Sequence, residues 1–132
     1  MKRLLVVEDE AINRRTVERM LQHFGDTETA ATGEEALSAY RAAVAERRPY
    51  DLICLDIRLP GMDGMEVLKE IRRLEFEAGV APKGEVKVLM ISTLGSPHDV
   101  VEAYYRGGCN GYLVKPLDAV KLKRFLKEFR II

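Results

Sequence analysis

Short apolar runs alternate with amphipathic stretches along the whole chain, and this alternation is the feature that most restricts its fold. The continuous apolar runs are residues 4–7, 52–55, 86–91 (interrupted only by Lys87) and 112–114. A weaker and more polar run occupies residues 26–31. Continuous apolar strands are typical of a parallel sheet that is buried on both faces. We therefore expect a parallel sheet in which residues 26–31 lie at or near an edge.

The segments between these runs have apolar side chains at helical spacing, and we interpret most of these stripes as core-facing. The stripes are Val17, Met20, Leu21 and Phe24; Leu37, Tyr40 and Val44; Val67, Leu68, Ile71 and Leu74; Val100, Val101, Tyr104 and Tyr105; and Leu122, Phe125, Leu126 and Phe129. Helix-start signals with capping-box spacing are Thr32 with Glu35, Asp63 with Glu66, and Ser96 with Asp99. Five repeats of strand then helix predict a (βα)5 doubly wound α/β sandwich with right-handed crossovers.

Length and composition indicate one soluble domain. The chain has 132 residues, which is enough to bury a core. Its 21 basic and 21 acidic side chains cancel, so net charge provides no bulk attraction to nucleic acid or to an anionic membrane. No segment approaches the roughly 20 apolar residues of a membrane span, and acidic residues end the first apolar run too early for a signal peptide. We expect a single cytoplasmic domain over residues 1–132, without an output domain.

Acidic side chains stand directly after two of the predicted strands. Glu8 and Asp9 follow the first strand, and Asp56 follows the third. Ligands of a doubly wound sheet bind outside the carboxyl ends of its strands. Three carboxylates there repel one another unless a cation neutralises them, and oxygen ligands without clustered His or Cys favour Mg²⁺ over Zn²⁺ or Cu²⁺. The sequence therefore predicts a Mg²⁺ site.

The rest of the first loop agrees with this interpretation. We interpret Glu10 as a capping residue of the first helix, where an acidic side chain interacts favourably with the helix dipole. A nucleotide site in this architecture would need a glycine-rich loop after the first strand. The loop at residues 8–11 is acidic instead and would repel a phosphate group.

Two further side chains complement the acids. Lys115 follows the fifth strand and Ser92 follows the fourth. We expect the Lys115 amine to pair with Asp56 at rest and to hold a phosphoryl oxygen once Asp56 is modified, while the Ser92 hydroxyl donates to a second oxygen. Phosphoryl transfer depends mainly on positioning and on neutralising the three equatorial oxygens. A carboxylate is a competent nucleophile for this step, so the pattern favours Asp56 as a phosphoryl acceptor.

Four segments in this order resemble those of response-regulator receiver domains of the CheY type, over essentially the whole chain. They read VVEDE at 6–10, DLICLDIRLPGMDG at 51–64, VLMIS at 88–92 and GYLVKP at 111–116. The resemblance implies a flavodoxin-like or CheY-like fold with a five-stranded parallel sheet, and a role in two-component phosphorelay signalling. It also implies that the phosphoryl donor is a phosphohistidine on a sensor histidine kinase or on a histidine phosphotransfer protein.

The resemblance implies roles for the acidic residues. Asp56 corresponds to the phosphoacceptor, Asp9 to a direct Mg²⁺ ligand, and Glu8 to a neighbouring acid that usually acts through water. The backbone carbonyl of Arg58 corresponds to a further metal ligand. Members of this family catalyse only their own phosphorylation and dephosphorylation, so we expect a signalling phosphoacceptor and not an enzyme with other substrates.

The resemblance implies a switch as well. Ser92 corresponds to the switch hydroxyl, Tyr112 to the aromatic side chain that changes rotamer with it, and Lys115 to the catalytic lysine, whose bond to Pro116 is cis in the family. The switch would reshape the face formed by helix 4, strand 5 and helix 5, where a downstream protein would bind. Aromatic and basic side chains of this region suit such a face, and they are Tyr104, Tyr105, Tyr112, Lys121, Lys123, Arg124, Lys127 and Arg130.

Two other functions use similar residues. A phosphatase of the haloacid-dehalogenase type also has an aspartate nucleophile, but it carries a second carboxylate two positions later, where this chain has Arg58. A degenerate receiver would bind partners without phosphate. The presence of the whole set argues against that alternative, and the set comprises Glu8, Asp9, Asp56, Ser92 and Lys115.

Overall fold

The computed structural model of the protein describes residues 1–93 and 97–132. Among these residues, five parallel strands form one sheet in the order β2-β1-β3-β4-β5, so the predicted (βα)5 doubly wound fold is confirmed. The strands are β1 (Arg3–Val7), β2 (Asp26–Ala30), β3 (Leu52–Asp56), β4 (Lys87–Ser92) and β5 (Gly111–Val114). The helices are α1 (Ala11–Gln22), α2 (Gly33–Ala45), α3 (Gly64–Glu77), α4 (Pro97–Val101) and α5 (Ala119–Glu128), with a 3-10 turn at Pro82–Gly84 and a π-helical segment at Glu102–Gly107.

The two faces of the sheet bury separate cores. Leu5 and Ile53 pack with side chains of α2 and α3, whereas their neighbours Leu4 and Leu52 pack with side chains of α1 and α5. Successive strand residues point to opposite faces, so a strand covered on both faces is apolar throughout. β2 is an edge strand as predicted, and its polar side chains fit that position.

The helix starts agree with the predicted caps where the structure describes them. Thr32 accepts a hydrogen bond from the backbone N–H of Glu35 at 3.1 Å, and Asp63 accepts one from Glu66 at 2.9 Å. Ser96 lies outside the described residues. Glu10 occupies the N-cap position of α1, but its side chain accepts no hydrogen bond from the helix, so the predicted side-chain cap is absent there. Within the described part of the chain, no helix combines the length and apolarity needed to cross a membrane.

The core interpretation of the fourth apolar stripe was wrong for most of its members. Val101 is 51% exposed and Tyr105 is 85% exposed, and Ala103 takes the buried position between them. The chain continues beyond Val101 in π-helical hydrogen bonding, which widens the turn. Side chains spaced for an α-helix therefore no longer lie on one side. Val44 of α2 is exposed too, because its neighbour Ala43 takes the core position.

Candidate functional site

The parallel sheet brings the predicted acidic residues to one edge. Because all strands run in the same direction, the residues that end β1 and β3 meet at the carboxyl edge of the sheet. Carboxylate oxygens of Glu8, Asp9 and Asp56 all lie within 4.8 Å of one another. Glu8 is 4% exposed and Asp56 is 5% exposed, whereas Asp9 lies at the surface. Of these three acidic residues, Asp9 is therefore the one that is exposed to solvent.

Lys115 connects two of these acids. Its ammonium group donates hydrogen bonds to Asp56 Oδ2 at 2.9 Å and to Glu8 Oε2 at 3.0 Å. Its backbone N–H donates to the carbonyl of Ser92 at 2.8 Å, which fixes the end of β5 beside the end of β4. The peptide bond between Lys115 and Pro116 is cis, as the family resemblance implied. The structure therefore contains the resting pair of Asp56 and Lys115 that the sequence predicted.

The charges of the site influence one another strongly. Burial raises the pKa of Glu8 to about 7, and the nearby Asp56 carboxylate adds to the rise, while Lys115 partly opposes it. Burial by itself would lower the pKa of Lys115, but its hydrogen bonds to Asp56 and Glu8 outweigh that effect and the pKa is raised. Two buried carboxylates therefore share one ammonium group, and the site favours an additional positive charge.

We predict that this shortage of positive charge makes the metal-free protein less stable as the pH rises. In the unfolded chain Glu8 ionises near the ordinary glutamate pKa of 4.5, whereas folded Glu8 holds its proton up to about pH 7. Between these values the folded state binds more protons, so the free energy of unfolding falls with increasing pH. One pKa unit corresponds to about 1.4 kcal/mol, so the loss is about 3 kcal/mol at most.

This prediction is checked by urea unfolding in EDTA at several pH values across that window. Glu8→Gln, which has the shape of the protonated side chain, should be more stable than wild type at the upper end of the window and similar at the lower end. Glu34→Gln, an exposed change in α2, is the control. Parallel pH profiles for wild type and Glu8→Gln would contradict the assignment.

The backbone around Asp56 is held tightly. The N–H of Arg58 donates to Asp56 Oδ1 at 3.1 Å, and the N–H of Gly64 donates to the carbonyl of Ile57 at 2.8 Å. Gly64 begins α3 directly against the start of the loop that follows Asp56, which we call the acceptor loop (residues 57–63). An added Cβ at Gly64 would lie 2.2 Å from the carbonyl oxygen of Asp56. Only glycine allows this approach, so α3 supports the loop that carries Asp56.

Gly64→Ala is expected to lower the free energy of unfolding by about 1–3 kcal/mol, the range typical of inserting a methyl group into a packed site. The backbone of Asp56 would have to move, because no flexible side chain lies in the way. Chemical denaturation measures this loss. Gly84→Ala is the control, since an added Cβ there meets only the tip of Val80 at 3.4 Å. Equal free energies of unfolding for the two variants would show that the acceptor loop can move without a loss of stability.

Ser92 and Tyr112 are physically linked across β4 and β5. Ser92 is fully buried at the end of β4, and Tyr112 is half-buried against the core beneath α3 and the π-helical segment. Burial raises the pKa of Tyr112, and a hydrogen bond with the Ser92 side chain opposes the rise. The two residues assigned to the switch are therefore already joined in this structure.

Two contributors to the site were not identified from the sequence. Nη1 of Arg14 donates hydrogen bonds to the backbone carbonyls of Glu8 at 3.0 Å and Asp9 at 3.3 Å, and so ties α1 to the acidic loop. Gly64 permits the close approach of α3. In the sequence, Arg14 is visible only as an arginine one turn into the helix after the acidic loop. Gly64 is visible only as a glycine after a capping aspartate. Both are too common to be assigned without coordinates.

The donor set fits a hard divalent cation. Among the residues that the structure describes, the converging ligand atoms are carboxylate oxygens, two of the three carboxylates are buried, and both buried ones pair with Lys115. Oxygen ligands and room for water suit Mg²⁺. The backbone N–H of Arg58 contacts Asp56, whereas metal ligation by the carbonyl of Arg58 stays a prediction.

Comparisons with known proteins agree with the fold and with the family resemblance found in the sequence. A family model described as the response regulator receiver domain matches residues 4–127. The two-component response regulator ORR41 of Oryza sativa subsp. japonica is 36% identical over 134 aligned positions, which cover 99% of this chain and 96% of that protein.

Two solved structures with the same fold contain a bound ligand or a partner protein. The receiver domain of the histidine kinase CKI1 from Arabidopsis thaliana, complexed with Mg²⁺ and BeF3⁻, matches with a TM-score of 0.84 and 27% identity, covering 98% of this chain and 89% of that one. The receiver domain of Ssk1 from Saccharomyces cerevisiae, solved with the histidine phosphotransfer protein Ypd1, matches with a TM-score of 0.83 and 28% identity, covering 97% and 88%.

Proposed function

Because this chain belongs to the response regulator receiver domain family of two-component signalling, we propose that it accepts a phosphoryl group on Asp56 from a phosphohistidine. One observation carries the proposal. The buried Asp56 carboxylate lies 2.9 Å from the ammonium group of Lys115 and within 4.8 Å of the carboxylate oxygens of Glu8 and Asp9. This arrangement places a nucleophilic carboxylate beside groups that can bind and neutralise an incoming phosphoryl group.

The transfer is a simple displacement at phosphorus. A carboxylate oxygen of Asp56 forms the new P–O bond as the P–N bond to the donor imidazole breaks, and the departing imidazole keeps the electron pair and takes up a proton. Oδ1 is oriented by the N–H of Arg58, and Oδ2 by Lys115. After transfer, Lys115 holds one phosphoryl oxygen and Ser92 donates to another. The receiver acts only on itself, as acceptor and as the site of later hydrolysis.

Glu8, Asp9 and Asp56 would hold Mg²⁺, with the carbonyl of Arg58 as a further ligand. When bound, the ion would supply positive charge to the phosphoryl oxygens. This role is supported by the all-oxygen donor set and by the CKI1 receiver domain, which was solved with Mg²⁺ and BeF3⁻.

The proposed donor is a sensor histidine kinase or a histidine phosphotransfer protein. The Ssk1 receiver domain, which has the same fold, was solved together with the phosphotransfer protein Ypd1. Two residues that contact or neighbour Asp56, Asp9 and Arg58, are exposed at the surface. A donor histidine therefore has a surface approach to the buried carboxylate of Asp56.

A downstream protein would recognise the phosphorylated state at the face formed by the π-helical segment, β5 and α5. Ser92 moving toward the phosphoryl group would break its hydrogen bond with Tyr112 and free that ring to turn. Tyr104, Tyr112, Lys121 and Arg124 line a groove of about 290 Å³ on this face. A change in the Tyr112 ring would alter the shape of the groove, which we propose as the binding site of a downstream protein.

The proposal is tested by adding acetyl phosphate and Mg²⁺ to the purified protein and measuring its intact mass. We expect a gain of one phosphoryl group that disappears when EDTA replaces Mg²⁺. Release of phosphate from p-nitrophenyl phosphate with turnover would instead indicate a phosphatase. An unchanged mass under saturating donor and Mg²⁺ would indicate a phosphate-independent receiver and would reject the proposal.

A further inference from the structure

The helices on the two faces of the sheet differ in charge, although the whole chain is neutral. α1 and α5 on one face carry seven basic and two acidic side chains. The helical segments on the other face, α2 through the π-helical segment, carry five basic and eight acidic side chains. The α1–α5 side is therefore strongly cationic and attracts anionic partners. The basic residues of these two helices are Arg14, Arg15, Arg19, Lys121, Lys123, Arg124 and Lys127.

A groove of about 370 Å³ lies on this cationic side, between the end of α1 and the beginning of α5. Its floor is apolar, because Met20, Phe24 and Leu122 lie there and also pack against the core. No acidic side chain lines it among the described residues. The exposed charged and polar residues around the floor are Arg19, His23 and Lys123.

We propose that this groove, which we call the α1–α5 groove, binds an acidic amphipathic helix of a partner protein. Apolar side chains on one face of such a helix would fill the recessed floor. Carboxylates beside that face would meet Arg19 and Lys123, so the charges of the two surfaces are complementary. A lipid bilayer is a poorer fit, because membrane-binding surfaces insert apolar side chains that protrude, whereas Met20 and Phe24 are partly buried and Leu122 is buried.

The α1–α5 groove is separate from the groove proposed for the downstream protein. α5 presents Lys121 and Arg124 to the groove beside β5, and Lys123 to the α1 side. The groove beside β5 contains the switch residue Tyr112, whereas the α1–α5 groove contains no switch residue and no residue of the acidic cluster. Binding at the α1–α5 groove therefore does not depend on phosphorylation of Asp56, and the proposal stands independently of the function proposed above.

The test is an NMR titration of the intact ¹⁵N-labelled protein with a synthetic helical peptide of about 18 residues, five turns long. The peptide carries leucine along one face and glutamate elsewhere, and a second peptide has lysine in place of glutamate. Lys123→Glu is compared with Lys121→Glu, which makes the same charge change on the same helix but on its other side. Vesicles of phosphatidylcholine with phosphatidylserine are tested in parallel.

We expect the acidic peptide to shift amide signals of α1 and α5 around the groove, and Lys123→Glu to weaken its binding about tenfold or more while Lys121→Glu leaves it near the wild-type value. Absence of binding, equal binding of the lysine peptide, or equal effects of the two variants would each overturn the proposal. Vesicle binding that is lost in Lys123→Glu, without peptide binding, would overturn it in favour of a lipid-headgroup surface.

Discussion

Asp56→Asn is expected to abolish incorporation of a phosphoryl group from acetyl phosphate. The amide keeps the size of the carboxylate but lacks its nucleophilic oxygen, so no acyl phosphate can form. The variant should fold normally, because it replaces one of two buried carboxylates that share Lys115 with a neutral group. Intact-mass measurement after incubation with donor and Mg²⁺ gives the result directly.

The matched control for this variant is Asp26→Asn. Asp26 begins β2 at the opposite end of the sheet and is exposed, so the same chemical change there should leave phosphorylation at the wild-type level. If Asp56→Asn still gained a phosphoryl group while its circular dichroism matched wild type, another carboxylate would be the acceptor and the assignment of Asp56 would be wrong.

Lys115→Met is expected to slow acyl phosphate formation by a factor of about 10²–10³, the usual effect of removing one group that stabilises developing charge. The methionine side chain keeps most of the length and packing of lysine but cannot hold a phosphoryl oxygen. The rate should be measured at saturating Mg²⁺, because removal of a competing cation would also change the affinity of the site for metal.

Lys123→Met serves as the control for the loss of one lysine, since Lys123 is exposed on α5 and lines no part of the acidic cluster. A rate for Lys115→Met within twofold of this control would mean that Lys115 only balances charge in the resting state. In that case the hydrogen bond between Lys115 and Asp56 would be structural, and the phosphoryl group would be held by other donors.

Much of the fold could be predicted from the sequence because the strands are buried on both faces. Short continuous apolar runs such as those at 4–7 and 52–55 are compatible with few elements other than strands buried on both faces. The polar run at 26–31 identified the edge strand. The site followed from topology. Once the strands are parallel, the residues after them must meet at one edge, which is why Glu8, Asp56 and Lys115 could be grouped without coordinates.

Other features depend on three-dimensional contacts that spacing does not reveal. The π-helical segment changes which side of the helix faces the core, and so it exposes Tyr105 and buries Ala103. The contact of Arg14 with the acidic loop depends on the angle at which α1 leaves β1. Likewise, the need for glycine at position 64 follows from the distance between two backbone segments and not from local sequence.

The most direct test of this account is to locate the acyl phosphate on the chain. The protein is incubated with acetyl phosphate and Mg²⁺, reduced with borohydride, digested and sequenced by tandem mass spectrometry, since reduction converts an aspartyl phosphate into homoserine. The account predicts homoserine at position 56 and at no other aspartate. Homoserine at position 9, 51 or 63, or a phosphorylated protein without homoserine at 56, would contradict it.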